Sequence, residues 1–415
     1  MTASPAPAPS ADRLAPWAFA AFVEANTLDT AYRPPVVDGP VGPTIVREGR
    51  ELVNFASISF LDLERHIPVR RHFTEGAVTH GLSTSGSRMT QGICRPHQVL
   101  EETIARHTGK ERAISFATGL LANIGFVHAM SSSAHFDAGI EVNNRDTVFV
   151  VDRDVHWSVW KGLEGIGYGR GVHAFRHNDV SDLTRVLTRV RARKTVVIAE
   201  SIYSADGTMG PIVEILDECD RHGAVSMIDD ANGFMVYGPE NRPYAREAAA
   251  IRERADFVMV SLSKAVGLEG GAIAGPAAAI DAFELLSGTS MFTAAIQPPT
   301  AHAADRTIAA LADNPRIVDD YLAHAARLRR HIHEAGTRTS PTESYMLSVP
   351  VGNDAAALQM REWFVEDGYL VPVFSYPAVS RNQALLRLFP HAGHTEEQMD
   401  GFLRTLSSYR RRLGL

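Results

Sequence analysis

A chain of 415 residues with 45% hydrophobic and 21% charged side chains can bury a substantial core, and its length suits one large and one smaller globular unit. A formal charge of -7 with both signs interspersed excludes nucleic acid as a main partner, because phosphate neutralisation needs a basic face. With no run of about 18 apolar residues, no secretory-type start, and no CxxC or histidine partner for Cys94 or Cys219, the expectation is a cytoplasmic protein without membrane span, disulfide framework or metal site.

Residues 1–15, rich in Pro and Ala, read as disordered; an amino-terminal segment follows over 16–58, then a large domain over 59–299 and a small one over 300–415. From about residue 96 to 275, apolar strands alternate with helical patterns. RAISFA precedes a helix from Gly119, TVFVVD precedes HWSVWKGLEGIG, and GVHAFRH precedes DLTRVLTRVRAR. TVVIAES, a helix from Ile212 to His222, AVSMIDD, DFVMVSLS and GGAIAG complete the series. Strands buried on both faces and joined by helices imply an α/β fold with a mostly parallel, doubly covered sheet. GIGYGRG at 165–171 follows a helix and precedes a strand, the reverse of a dinucleotide fingerprint, and reads as a turn. The basic stretch from Arg185 to Lys194 reads as the solvated face and end of a helix. Beyond residue 300 come two long helical patterns, short strands around YMLSVPV, YLVPVF and ALLRLFP, and a last helix from Glu396, an α+β arrangement.

Ligands of such sheets gather beyond the carboxyl ends of the strands, which groups Thr118, Gly119, His156, Ser204, Asp229 to Asn232 and Ser261 to Lys264 in one site. Lysine usage sharpens this: of 41 basic side chains only four are lysine. Lys110, Lys161 and Lys194 stand at helix ends and turns and read as surface charge. Lys264 follows the apolar strand DFVMVSLS and precedes the glycine-rich VGLEGGAIAG, a setting suited to a buried amine that must be uncharged to attack a carbonyl. Taken singly, His156 also reads as a helix cap, Asp229 and Asp230 as turn residues, Arg387 as a surface ion-pair partner, and His391 and His394 as structural.

The order and spacing of NFASISFLDL, GLSTSGSRMTQG with HQVLEE, ATGLLAN, DRDVHWS, ESIYSADGTMGP, DDANG, SLSKAVGLEGGAIAG, MFTAAIQPP and LLRLFPHAGH, with Asp229 lying 35 residues before Lys264, resemble the α-oxoamine synthase family of fold-type I pyridoxal-phosphate (PLP) enzymes. The likeness runs from about Asn54 to the end. It implies that Lys264 carries PLP as a Schiff base and moves the α-proton, that Asp229 pairs with the pyridine nitrogen, and that His156 lies on the ring face. It places Ser204 and Asn232 at the phenolic oxygen, and the backbone of Gly119 and Leu120 with the Ser261 hydroxyl at the phosphate. It further implies a homodimer with the site at the subunit interface, Thr293 of a neighbouring subunit reaching the phosphate, and Arg387 gripping the amino-acid carboxylate. The implied reaction condenses an α-amino acid with an acyl thioester, on coenzyme A or a carrier protein, usually with loss of carbon dioxide, to an α-amino ketone, in a setting of secondary metabolism. Departures stand beside the likeness: Asn232 replaces the family's usual histidine, Met89 stands where some relatives carry a polar residue near the acyl group, and the arginine that binds acyl carboxylates in some relatives has only Arg33 and Arg47 as candidates. An aminotransferase or aldolase would use the same lysine and aspartate, whereas a non-catalytic binding protein has no need of a Schiff-base lysine.

Overall fold

The computed structural model describes residues 15–19, 21–22, 35–135, 139, 141–190, 192–238, 242, 244–341, 343–376 and 378–414. Residues 1–14, expected to be disordered, and Arg33 lie outside them. An amino-terminal antiparallel meander, β1 (Val37–Asp38), β2 (Thr44–Arg47) and β3 (Arg50–Asn54), precedes the first strand of the main sheet, β4 (Arg112–Phe116). After a small hairpin, β5 (Ser133–His135) and β6 (Glu141–Asn143), come β7 (Val148–Asp152), β8 (Val172–Phe175), β9 (Thr195–Glu200), β10 (Val225–Asp229), β11 (Phe257–Ser261) and β12 (Gly271–Gly275). The seven main strands stand in the order β4-β12-β11-β10-β9-β7-β8.

Side-chain alternation shows why these segments are strands. In β9, Val196 and Ile198 enter one core while Val197 and Ala199 enter the other; in β10 Met227 and Ile228 divide the same way. Both faces are thus buried, each fully buried aliphatic contributing roughly 1.5–3 kcal/mol. The helix Ile212–His222 covers one face through Ile212, Ile215, Leu216 and Cys219, an i, i+3, i+4, i+7 stripe. Gly119–Ser131 and Ala277–Leu286 cover the other. The helix Val180–Val190 buries Leu183, Val186 and Leu187 and leaves Arg185 and Arg189 exposed, as the basic stretch suggested. Only β12 runs against its neighbours. The connection 262–270 holds no helix and is shorter than the dozen or so residues a parallel crossover requires, so the chain must turn back.

Carboxyl-terminal strands β13 (Leu347–Gly352), β14 (Tyr369–Leu370), β15 (Val373–Phe374) and β16 (Ala384–Leu388) follow. β13, β16 and β15 form an antiparallel sheet, while β14 adds in parallel to β3 and so ties the two ends of the chain together. The last helix, Glu396–Leu413, starts from a capping box between Thr395 and Gln398. The helix Pro298–Asp313 packs on Val69–His80 and Arg95–Thr108. Among the described residues no helix is long and apolar enough to cross a membrane.

The lysines divide differently from the sequence expectation. Lys161 and Lys194 pair with the exposed acids Glu164 and Asp146. Lys110 is half-buried, donating to the carbonyls of Ile251 at 3.0 Å and Arg252 at 2.9 Å, and burial pulls its ammonium down to about 8. It caps the end of the helix Ala245–Arg254 instead of standing as free surface charge, because the last carbonyls of a helix lack intrahelical donors.

One close approach couples this scaffold to the strand ends. A Cβ at Gly271 in β12 would lie 2.6 Å from the Gly119 Cα and 2.8 Å from its nitrogen. Gly271→Ala is therefore expected to destabilise the protein by about 1–3 kcal/mol and to weaken phosphate binding at the Gly119 helix start. Urea unfolding and cofactor titration check it; unchanged values for both would show that the contact relaxes freely.

Candidate active site

Eight of the ten residues to which the resemblance gives a role line one cavity of about 220 Å³ at the carboxyl ends of the strands: Gly119, Leu120, His156, Ser204, Asp229, Asn232, Ser261 and Lys264. Arg387 on β16 adjoins it by donating from Nη1 to the Ser204 carbonyl. Thr293 does not line the cavity of its own chain; it follows Phe292, which is 81% exposed, on a segment bridged to Ser87 through Ala294. Arg47 closes β2, and Met89 is exposed on a loop fixed by Arg88, which is paired with Glu101 and Glu284; neither lines the cavity.

Asp229 is buried in the cavity wall, 3% exposed at the end of β10. Its Oδ2 accepts from Asn123 Nδ2 at 2.8 Å and its Oδ1 from the Ala231 N–H at 3.1 Å. Asn123 uses its other amide hydrogen on Ser158 Oγ at 2.8 Å, which leaves the Ser158 hydroxyl to donate to His156 Nδ1 at 2.7 Å. The Ser158 N–H also points at Nδ1, at 3.3 Å. Nδ1 is therefore an acceptor, which assigns the imidazole proton to Nε2. Desolvation, with Lys264 and Arg387 nearby, holds His156 below its ordinary value, consistent with that neutral tautomer.

Opposite, Thr118 caps the helix Gly119–Ser131 by accepting from the Leu121 N–H at 3.2 Å. The N–H groups of Gly119 and Leu120 stand outside the helical ladder, and the hydroxyls of Ser261 and Ser263, 2.9 Å apart, line the same cavity. A helix start with two hydroxyls suits a phosphate. Lys264 lies just beyond β11; burial, reinforced by Arg387, pulls its amine down to about 8. Among the described residues it makes no ion pair.

The Arg387 guanidinium lies 4.0 Å from the centre of Phe374 and 5.1 Å from that of Phe389, and burial lowers it to about 10. Its Nε is buried with no hydrogen-bond partner among the described residues, a donor still lacking an acceptor. Asn232 donates from Nδ2 to the Ile202 carbonyl at 3.0 Å, so one amide hydrogen remains, and its Oδ1 is a buried acceptor without a partner among the described residues. Ser263, within the span Ser261 to Lys264 read from the sequence, lines the cavity too, whereas Glu200, Asn123 and Ser158 line it and were not singled out from the sequence. Glu200 closes the fully buried strand TVVIAE and follows the same strand-end rule, whereas Asn123 stands one helical turn after Gly119.

A carboxylate held at depth, a depressed lysine and an N–H and hydroxyl cradle fit the pyridine nitrogen, aldehyde and phosphate of PLP. Asn123→Leu removes the donor that fixes Asp229 and is expected to weaken PLP retention by roughly 10- to 150-fold, the loss of one hydrogen bond to a charged group. Spectrophotometric titration reads this; wild-type retention would mean that Asp229 needs no such support.

Comparison with known proteins agrees with this geometry. The family model "Aminotransferase class I and II" matches residues 50–406. The 8-amino-7-oxononanoate synthase of Alcanivorax borkumensis is 30% identical over 372 residues, covering 90% of this chain and 92% of that one. That of Anaeromyxobacter dehalogenans is 31% identical over 374 residues, covering 89% of each. The Sphingomonas wittichii serine palmitoyltransferase structure superposes with a TM-score of 0.85 at 26% identity, covering 98% of this chain and 99% of that one. These matches bear out the fold-type I α/β architecture and PLP as the cofactor. The chain belongs to the α-oxoamine synthase family, PLP-dependent C-acyltransferases of the class I and II aminotransferase group.

Proposed function

We propose that this enzyme joins an α-amino acid to an acyl thioester at the cavity around Lys264, releasing carbon dioxide and the thiol and forming an α-amino ketone. The observation that carries the reading is the joint placement of Lys264, the Asn123-bound Asp229 and the partnerless Arg387 Nε around one small cavity. PLP bound here supplies an electron-withdrawing ring that stabilises negative charge on the amino acid's α-carbon. Lys264, with an amine near 8, would hold the cofactor and then take the α-proton as a base. Asp229 would pair with the ring nitrogen, neutral His156 would cover the ring face, and Ser204 with the remaining Asn232 N–H would approach the phenolic oxygen. Gly119, Leu120 and Ser261 would bind the phosphate.

Arg387 would receive the amino-acid carboxylate on its free Nε edge, holding the α-hydrogen where Lys264 can reach it. After carbon–carbon bond formation that carboxylate belongs to a β-keto acid and leaves as carbon dioxide. A homodimer goes with this reading. Exposed Met89 and Phe292, at 47% and 81%, flank Thr293 with apolar surface that a second copy would cover, bringing Thr293 to the neighbouring phosphate. A cytoplasmic setting goes with this proposal.

Carboxyl-labelled amino acid should release labelled carbon dioxide only when an acyl thioester is supplied. Arg387→Ala should raise the amino-acid KM by roughly 10- to 150-fold, the loss of charge-assisted hydrogen bonds. Keto acid and pyridoxamine phosphate formed in stoichiometric amount without thioester would instead indicate an aminotransferase.

A further inference from the structure

Glu200 is used by none of the steps above, yet it stands inside the cavity, 2% exposed, at the end of β9. Its two oxygens face different parts of the chain. Oε1 accepts from the main-chain N–H of His156, on the loop that follows β7, and Oε2 from that of Ser204 at 3.2 Å, four residues further along its own chain. Ser204 in turn accepts from Arg387 through its carbonyl. One carboxylate therefore links the residue at the histidine face of the site to the residue that holds the arginine. We infer that Glu200 is a positioning residue that keeps His156 and the Ser204–Arg387 arm in register, so that the amino acid's carboxylate and the ring face are presented together.

Stability alone gives no reason for a carboxylate here. Burial, with Asp229 and Asp152 on the neighbouring strand ends, pushes Glu200 well above the usual carboxylate range, and only the two N–H bonds from His156 and Ser204 favour its charged form. What a carboxylate offers and an amide does not is two acceptors on one rigid plane, matched to two N–H donors. Glutamine would turn a donor toward one of those N–H groups and release either the His156 loop or the Ser204 turn. Aspartate is one methylene too short to span both.

The inference rests on the proposed reaction, so wild-type holoenzyme is first tested for α-proton exchange of amino acids in heavy water. If no amino acid exchanges, the reaction itself is wrong. With exchange established, Glu200→Gln and Glu200→Asp holoenzymes are compared by amino-acid KM, thioester KM and the visible circular dichroism of bound PLP. The expected result is an amino-acid KM raised about tenfold or more and a dichroism band cut by about half, with the thioester KM within about twofold. Added to Arg387→Ala, Glu200→Gln should raise the amino-acid KM by less than about threefold further, because it acts through that arm. Four outcomes would overturn the inference: unchanged KM and dichroism in both variants, equal rises in both substrates' KM, full additivity with Arg387→Ala, or loss of PLP from both variants.

Discussion

Three carboxylates buried at the carboxyl ends of adjacent strands, Asp152 on β7, Glu200 on β9 and Asp229 on β10, have to be matched with donors, because an unpaired buried charge costs several kcal/mol. The way each is matched shapes the site. Asp152 accepts from the Asp154 and Asn178 N–H groups and from His177, which folds the turn delivering His156. Glu200 takes the N–H of His156 and of Ser204, and Asp229 takes Asn123 and Ala231. Only Asp229 is braced by a side chain reaching across from the helix that also frames the phosphate cradle. The acids hold the loops, and the loops hold the chemistry.

The opposite charges are arranged to complement them. Arg387 raises the electrostatic cost of charge on Lys264, and both disfavour charge on His156. The lysine answers by approaching neutrality near 8, as a base or nucleophile must, while the guanidinium stays charged and is sheltered between Phe374 and Phe389. A lysine in the arginine's place would lose the planar fork that suits a carboxylate.

Much of the fold was legible because it rests on local periodicity. The alternation of TVVIAES and AVSMIDD across two cores, and the i, i+3, i+4, i+7 stripe of Ile212–His222, are sequence patterns. The amino-terminal meander was not legible, because such short strands carry no period; YLVPVF reads as a strand, but the parallel pairing of its β14 with β3 was not legible, because it joins residues over 300 apart. Within the site, the strand-end rule and the scarcity of lysine found Asp229, Ser261 and Lys264 but passed over Glu200, which ends β9. Asn123 and Ser158 escaped the rule because they act from within helices, by contacts between segments far apart in the chain. Lys110 was misread for the same reason: the two carbonyls it caps lie 141 and 142 residues away.

The central claim is that Lys264 is the residue that carries PLP, and borohydride reduction of the holoenzyme followed by peptide mass mapping tests it most directly. Lys264 and Lys110 share a depressed amine near 8, so basicity alone does not separate them, but only Lys264 faces Asp229 across the cavity. The account predicts a yellow protein whose reduced adduct lies on Lys264, with none after Lys264→Ala. An adduct on Lys110, Lys161 or Lys194 in the wild-type protein would contradict it.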